Sequence, residues 1–428
     1  MKYISTREDK TRFSLRDAAF MGLAPDGGLL MPEVIPAIDM NKVMALAAES
    51  YNAMSVYLAT QFFGDDLSRE QLEKVVDHAY DFRPELRSFA DNLHTLELFH
   101  GPTFAFKDFG ARFMGSMFGI LADQSNDIVI LTATSGDTGS AVANGFLGVP
   151  GVKVVLLYPA DRISPLQESQ MTTLGQNIHP VRIEGSFDDC QRLVKELFND
   201  KELRARKNIT SANSINILRW IPQSFYYFYG YYLWNKTTGG TLPDIVVPSG
   251  NYGNISAGML AWKQGLPVRR FIAASNSNDI IPAYLQTGRY ATRESIQTIA
   301  NAMDVGNPSN YERIMALYGN NFESLAGSVY GFSADDAHIM DAIREVSQKY
   351  GELIDPHSSI GYMAAKAYEI DGFWLSTAHH AKFSEVIFDA VGSNPELPAG
   401  LAKFMERPQS FTPMTPDRET LTEFVESL

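Results

Sequence analysis

DIVILTATSGDTGSAVANGFLG, residues 127–148, decides the fold. Residues 127–134 are almost continuously apolar or β-favouring, the pattern of a strand covered on both faces in a parallel sheet. Ser135, Gly136, Asp137, Thr138 and Gly139 then supply a turn of small and polar residues, and SAVANGFLG reads as a helix. Five more runs read as buried strands: VKVVLLYP (152–159), IHPVRIE (178–184), DIVVPSG (244–250), RFIAASN (270–276) and GFWLSTA (372–378). Helical patterns separate most of them, which predicts right-handed βαβ crossovers and open sheets.

The first ninety residues read differently. MNKVMALAAESYNAMSVYLATQFF carries apolar residues at helical spacing, Ser68 and Gln71 form a capping box, and Pro25 to Gly28 supply turn chemistry. The expected class is α/β: a mainly helical N-terminal domain (1–92) followed by two open, mostly parallel α/β lobes (93–240 and 241–428). The longer gaps, 185–243 and 277–371, leave room for a second domain and a lid. FYYFYGYYLW (225–234) reads as a buried helix.

Composition narrows the function classes. A net charge of -14 over 428 residues opposes nonspecific binding to nucleic acid or anionic membranes. The N-terminus is charged, with no apolar signal core, and no apolar run approaches the roughly 18 residues a bilayer span needs. One cysteine, Cys190, excludes an internal disulfide and paired-cysteine metal sites. A cytoplasmic protein acting on a small molecule is expected, and no obligate protein partner is evident.

Three strand-to-helix turns carry candidate chemistry. The 135–139 turn places backbone N–H groups and the hydroxyls of Ser135 and Thr138 at a helix start, where an anion is favoured. Ser249, Gly250, Asn251, Tyr252, Gly253 and Asn254 repeat the arrangement after the 244–248 strand. Glycine in either turn can also serve helix-on-sheet packing. In the third turn Thr377 is placed either to touch a bound heterocycle or to cap the next helix. Adjacent His379 and His380 are expected to point apart, and no ligand spacing supports a metal.

Lys107 is the candidate nucleophile. It stands among Phe104, Phe106 and Phe109 in LELFHGPTFAFKDFG (96–110), where a charged ammonium would lose hydration and the pKa would fall. A neutral lysine amine condenses with aldehydes; the alternative is a lysine snorkelling to water over the rings. The dinucleotide fingerprint, the Walker A loop and the nucleophile elbow are all missing from the sequence. A buried lysine with two anion cradles suits pyridoxal 5'-phosphate, which brings an aldehyde, a phosphate and an electron-sink ring.

Several strings, in order, resemble the threonine synthase family of fold type II pyridoxal-phosphate enzymes, in its microbial and fungal branch. They are HGPTFAFKDFG (100–110), LTATSGDTGSA (131–141), LLYPADRISPLQ (156–167), NSINILR (213–219), VPSGNYGN (247–254) and STAHHAKF (376–383). YISTR (3–7) and GLAPDGGLLMPE (22–33) resemble the family's opening segment. The departures are Tyr252 where phenylalanine is commoner and His380 where proline often stands.

The resemblance implies conversion of O-phospho-L-homoserine and water to L-threonine and phosphate, a carbon-oxygen lyase reaction. It implies that Lys107 holds the cofactor and then moves protons, that Gly250 to Asn254 cradle the cofactor phosphate, and that Thr377 meets the ring nitrogen. Ser135, Gly136, Asp137 and Thr138 would bind the substrate carboxylate, and Arg219, with Asn213 and Asn216 beside it, the departing phosphate. Asp137 would repel that carboxylate, so its side chain is expected to turn away and bond backbone donors of its own loop. Threonine dehydratase and cysteine synthase share the cofactor logic without needing the arginine, and a noncatalytic phosphometabolite binder is the further alternative.

Overall fold

Strand Ile128–Ala133 is buried at every position, and its neighbour Val152–Pro159 at all but one, so both faces must be covered. The computed structural model describes residues 1–8, 10–90, 92–122, 128–160 and 163–428. Asp127, read from sequence as the start of this strand, and Asp161 and Arg162 of the 156–167 string lie outside the described residues.

Two sheets organise the chain. One has the order Thr412–Met414, Ile178–Ile183, Val152–Pro159, Ile128–Ala133, Asn208–Thr210, all parallel. The other runs Val329–Ser333, Arg270–Ser275, Asp244–Pro248, Gly372–Ser376, Leu93–Glu97, Glu85–Ala90, parallel except for the last pair. This is the expected fold type II architecture.

The sheets do not follow contiguous stretches of sequence. Glu85–Ala90 and Leu93–Glu97 join strands from beyond residue 241, and Thr412–Met414 returns to the first sheet. The long gaps each give an edge strand, Asn208–Thr210 and Val329–Ser333, amid helices that cover the sheets. Such strands are short and partly exposed, so they leave no continuous apolar run.

Before the strand Glu85–Ala90 the regular elements of the N-terminal segment are four helices and one antiparallel pair, Tyr3–Ser5 with Leu30–Pro32, joined by non-helical stretches. The 40–63 pattern is two helices, because Ser50 is extended (φ -168°, ψ 161°) and its hydroxyl caps the second by accepting from Ala53 N–H. Both halves of the capping box at Ser68 form. The aromatic run lies in the helix Phe225–Thr238, largely buried in the main core. Among the described residues no helix is long and apolar enough to cross a membrane.

Helices Lys107–Leu121 and Asp137–Phe146 touch so closely that a Cβ on Gly115 would lie 1.9 Å from the Gly145 carbonyl oxygen. Backbone cannot yield there as a side chain would. Gly115→Ala is therefore expected to destabilise the protein by about 1–3 kcal/mol, the usual cost of overpacking. Thermal denaturation checks this, and an unchanged melting temperature would show that the helices can part freely.

Candidate active site

Four chain segments leave the carboxyl ends of parallel strands and converge. Leu93–Glu97 leads to Lys107, Ile128–Ala133 to the 135–138 turn, Asp244–Pro248 to the 250–254 loop, and Gly372–Ser376 to Thr377. Open α/β sheets bind ligands at this end. Backbone bonds fasten the first segment to the last: Leu98 N–H donates to Ser376 O (2.9 Å), Phe106 N–H to Thr377 O (2.8 Å) and His379 N–H to Phe104 O (3.1 Å). Thr377 is thereby held beside Lys107.

Lys107 begins its helix and has 13% of its side chain exposed. Its ammonium lies 5.0 Å from the Phe106 ring centroid and 3.7 Å from Asp137 Oδ2. The expected cage of three rings is not what desolvates it. Phe109 turns into the core against Tyr51, Phe82 and Tyr226, and Phe104, at a left-handed φ of 57°, lies against His379. Burial in the site as a whole pushes the amine below the ordinary lysine value; Asp137 opposes this, while Arg219 and Lys382 reinforce it.

Asp137 corrects the expectation made for it. Its Oδ1 accepts from Lys382 Nζ (2.8 Å) and Gln167 Nε2 (2.9 Å), not from its own loop. The Thr134 hydroxyl takes the local role, accepting from the N–H groups of Gly136 (3.0 Å) and Gly139 (2.7 Å). Gly136 sits at φ 128°, and a Cβ there would fall 2.5 Å from Gln167 Cδ, so only glycine lets Gln167 reach the carboxylate. Burial opposes the Asp137 charge, but Lys382, Lys107 and the bond from Gln167 outweigh it and hold the carboxyl far below its usual range. The Ser135 and Thr138 hydroxyls, and the N–H groups of Asp137 and Thr138, bond no described residue.

In the second turn the side chains shape the loop, and the backbone N–H groups of residues 250–254 bond no described residue. Asn251 donates to Ser214 Oγ (2.8 Å) and accepts from Ser309 N–H (2.7 Å), and the Tyr252 hydroxyl meets that of Ser275. Tyr252 adopts a left-handed φ of 58°, and the helix Gly253–Lys263 starts with no side-chain cap although its first residues are buried. Asn254 Oδ1 accepts from the hydroxyls of Tyr226 (2.6 Å) and Tyr227 (2.7 Å), while its Nδ2 is buried with no partner.

Thr377 N–H donates to Ser358 Oγ (3.2 Å), whose hydroxyl donates to the buried Asp355 carboxylate; no described residue bonds the Thr377 hydroxyl. The capping role falls instead to His379, whose Nδ1 accepts from Ala381 N–H (3.2 Å). Arg219, 4% exposed in the helix Ile217–Trp220, donates to Ala212 O. Burial lowers its pKa to about 10, with Asp108 opposing, so it stays charged at neutral pH.

Asn216 is committed elsewhere. Its Oδ1 accepts from Leu218 N–H and its Nδ2 donates to Ala19 O (2.7 Å) and Ser211 O (3.3 Å), so it caps the Arg219 helix and ties the N-terminal segment to it. Asn213 is half-buried and its side chain bonds no described residue.

Comparison with known proteins agrees with this geometry. Residues 91–372 match the family described as pyridoxal-phosphate dependent enzyme, residues 2–80 match the threonine synthase N terminus, and residues 358–425 match the threonine synthase C-terminal family. Threonine synthase of Escherichia coli strain K12 is 39% identical over 411 residues, 95% of each chain. This chain belongs to the threonine synthase family.

Solved threonine synthases share the fold. That from Escherichia coli aligns over 100% of both chains at 37% identity with a TM-score of 0.92. A pyridoxal-phosphate-bound threonine synthase from Brucella melitensis aligns over 100% of this chain and 99% of its own, at 34% identity and a TM-score of 0.93.

The threonine synthase family uses pyridoxal 5'-phosphate, and the residues here fit that group. A depressed amine suits the aldehyde, an uncapped buried helix start and the unpaired Asn254 amide suit the phosphate, and an uncommitted hydroxyl suits the ring nitrogen. Reading the sequence missed Lys382, Gln167 and Asp355. For Lys382 a signal existed: like Lys107 it abuts a phenylalanine next to a turn at a strand end.

Proposed function

We propose that this protein is a threonine synthase, a carbon-oxygen lyase that converts O-phospho-L-homoserine and water to L-threonine and phosphate in the cytoplasm. The observation that carries the reading is the buried Lys107 amine, with Thr377, whose hydroxyl is uncommitted, fastened through its carbonyl to the N–H of the adjoining Phe106 (2.8 Å) and Arg219 among the cations that disfavour an ammonium at Lys107. When bound, pyridoxal 5'-phosphate supplies an electron sink for charge developing on the substrate carbons.

The chain's own groups would do the rest. The N–H donors of Gly250, Asn251, Tyr252, Gly253 and Asn254 would hold the cofactor phosphate, with the side chains of Asn251 and Tyr252 keeping the loop in shape. The Thr377 hydroxyl would bond the ring nitrogen and, being neutral, leave it largely unprotonated. Ser135, Thr138 and the N–H groups at 137 and 138 would receive the substrate carboxylate, with Gly136 giving the turn its shape and Asp137 neutralised behind it. The Lys107 amine would take the proton from Cα and move protons at Cβ and Cγ. Arg219 would bind the phosphate oxygens as they leave, with Asn213 beside it. Asn216 would act at one remove, by capping the Arg219 helix.

Phosphate and threonine assays test the reaction. Purified protein given O-phospho-L-homoserine and the cofactor should release phosphate and threonine in equal amounts, and should leave O-acetylserine untouched. Turnover of O-acetylserine with no phosphate release would refute the assignment.

A further inference from the structure

We propose that Lys382 is a second functional lysine of this site, a positioning residue that neutralises Asp137 so that Lys107 is left available as an amine and the 135–138 turn can take an anion. The inference rests on Lys107 being the cofactor lysine.

Lys382 is fully buried, which is rare for lysine and stable only with good partners. Its ammonium has two: Asp137 Oδ1 at 2.8 Å and Thr103 O at 2.7 Å. Those bonds join three segments that must keep register, namely the loop before Lys107, the start of the Asp137 helix and the turn after Thr377. Thr103 is itself pinned, its N–H (2.8 Å) and hydroxyl (2.6 Å) donating to Asp108, and Gln170 Nε2 also donates to its carbonyl.

The division of Asp137 between two lysines is unequal. Lys382 has the shorter, hydrogen-bonded contact on Oδ1, shared with Gln167, while Lys107 stands 3.7 Å from Oδ2. The other charged groups acting on Lys107 are Arg219 and Asp355, and Lys382 also acts on the buried Asp108. Without Lys382, Asp137 would have Lys107 as its nearest cation and would favour the charged ammonium there. Its uncompensated charge would also sit behind the turn that has to accept a carboxylate.

The test is competitive labelling of the full-length, cofactor-free protein with acetic anhydride across pH, with mass spectrometry of the Lys107 peptide giving the midpoint of that amine. Lys382→Met is expected to raise the midpoint by about one pH unit or more. It should also move the acid limb of kcat for the cofactor-loaded enzyme to higher pH and raise the substrate KM about tenfold. Asp137→Asn should lower the midpoint, and Asp137→Asn with Lys382→Met should lie above Asp137→Asn alone. That last step leaves no orphaned carboxylate, so it remains readable if the single Lys382 variant does not fold. Lys382→Arg should keep the wild-type midpoint.

A Lys107 midpoint that is the same in all four variants, with only the melting temperature changed, overturns the proposal. Failure of the function reading looks different: wild-type Lys107 would then label like an ordinary lysine, near about 10.4, and would bind no pyridoxal phosphate.

Discussion

Lys107→Ala is expected to lower turnover on the order of 10³-fold or more and to abolish the visible absorption of cofactor-loaded protein, with the fold unchanged. The size follows from the two tasks proposed for Lys107, capture of the cofactor aldehyde and proton transfer at the substrate carbons, which would be lost at once. The fold should survive because Asp137, the anion nearest Lys107, keeps Lys382 and Gln167 as partners. No buried charge is orphaned, unlike the usual outcome when half of a buried ion pair is removed. Lys107→Arg should be as inactive, since a guanidinium does not give up its proton in this pH range. Borohydride reduction of the loaded wild-type enzyme should leave a pyridoxyl adduct on the Lys107 peptide. An adduct on Lys382, the other lysine at Asp137, would transfer the catalytic role and sink the assignment.

That prediction was within reach of the sequence, whereas its electrostatic setting was not. Six apolar runs gave six strands because a parallel strand covered on both faces has no polar alternation to disguise it. The edge strands Asn208–Thr210 and Val329–Ser333 lack such runs, and the pairing of Leu93–Glu97 with Gly372–Ser376 joins residues far apart in sequence. Turn chemistry is local, so the 135–138 and 250–254 turns and Thr377 could be placed at strand ends from their own residues.

Partners brought together by the fold are not local. Nothing near Asp137 in sequence announces Lys382 or Gln167, so a carboxylate beside an anion site looked paradoxical until its counterion was placed. The three phenylalanines around Lys107 misled for the related reason that neighbours in sequence need not face one another. Phe106 touches the ammonium, while Phe109 belongs to the core.

Arg219→Ala is expected to reduce kcat/KM for O-phospho-L-homoserine about 10²- to 10³-fold, the usual loss when a preorganised group facing developing charge is removed. Two effects add. In the proposed role the leaving phosphate would lose its fork of N–H donors, of which the bond to Ala212 O uses one. The Lys107 amine also loses a cation that helps to depress its pKa. A nearby positive charge disfavours the ammonium, so removing it raises the Lys107 pKa, and the acid limb of the rate profile must move to higher pH.

Arg219→Lys should restore the direction of the pH limb, because charge is kept, while recovering only part of kcat/KM, because the planar fork is lost. Inorganic phosphate, the product, gives a binding readout independent of turnover: it should inhibit the wild type competitively and Arg219→Ala much more weakly. Because Arg219 is 4% exposed and fills its niche, the alanine variant should also lose about 2–3 kcal/mol of stability through lost packing and an unpaired carbonyl at Ala212. Stability alone cannot produce the two other changes. If Arg219→Ala keeps both phosphate inhibition and the wild-type acid limb, the arginine is structural, and the leaving group must be held by another cation of the site.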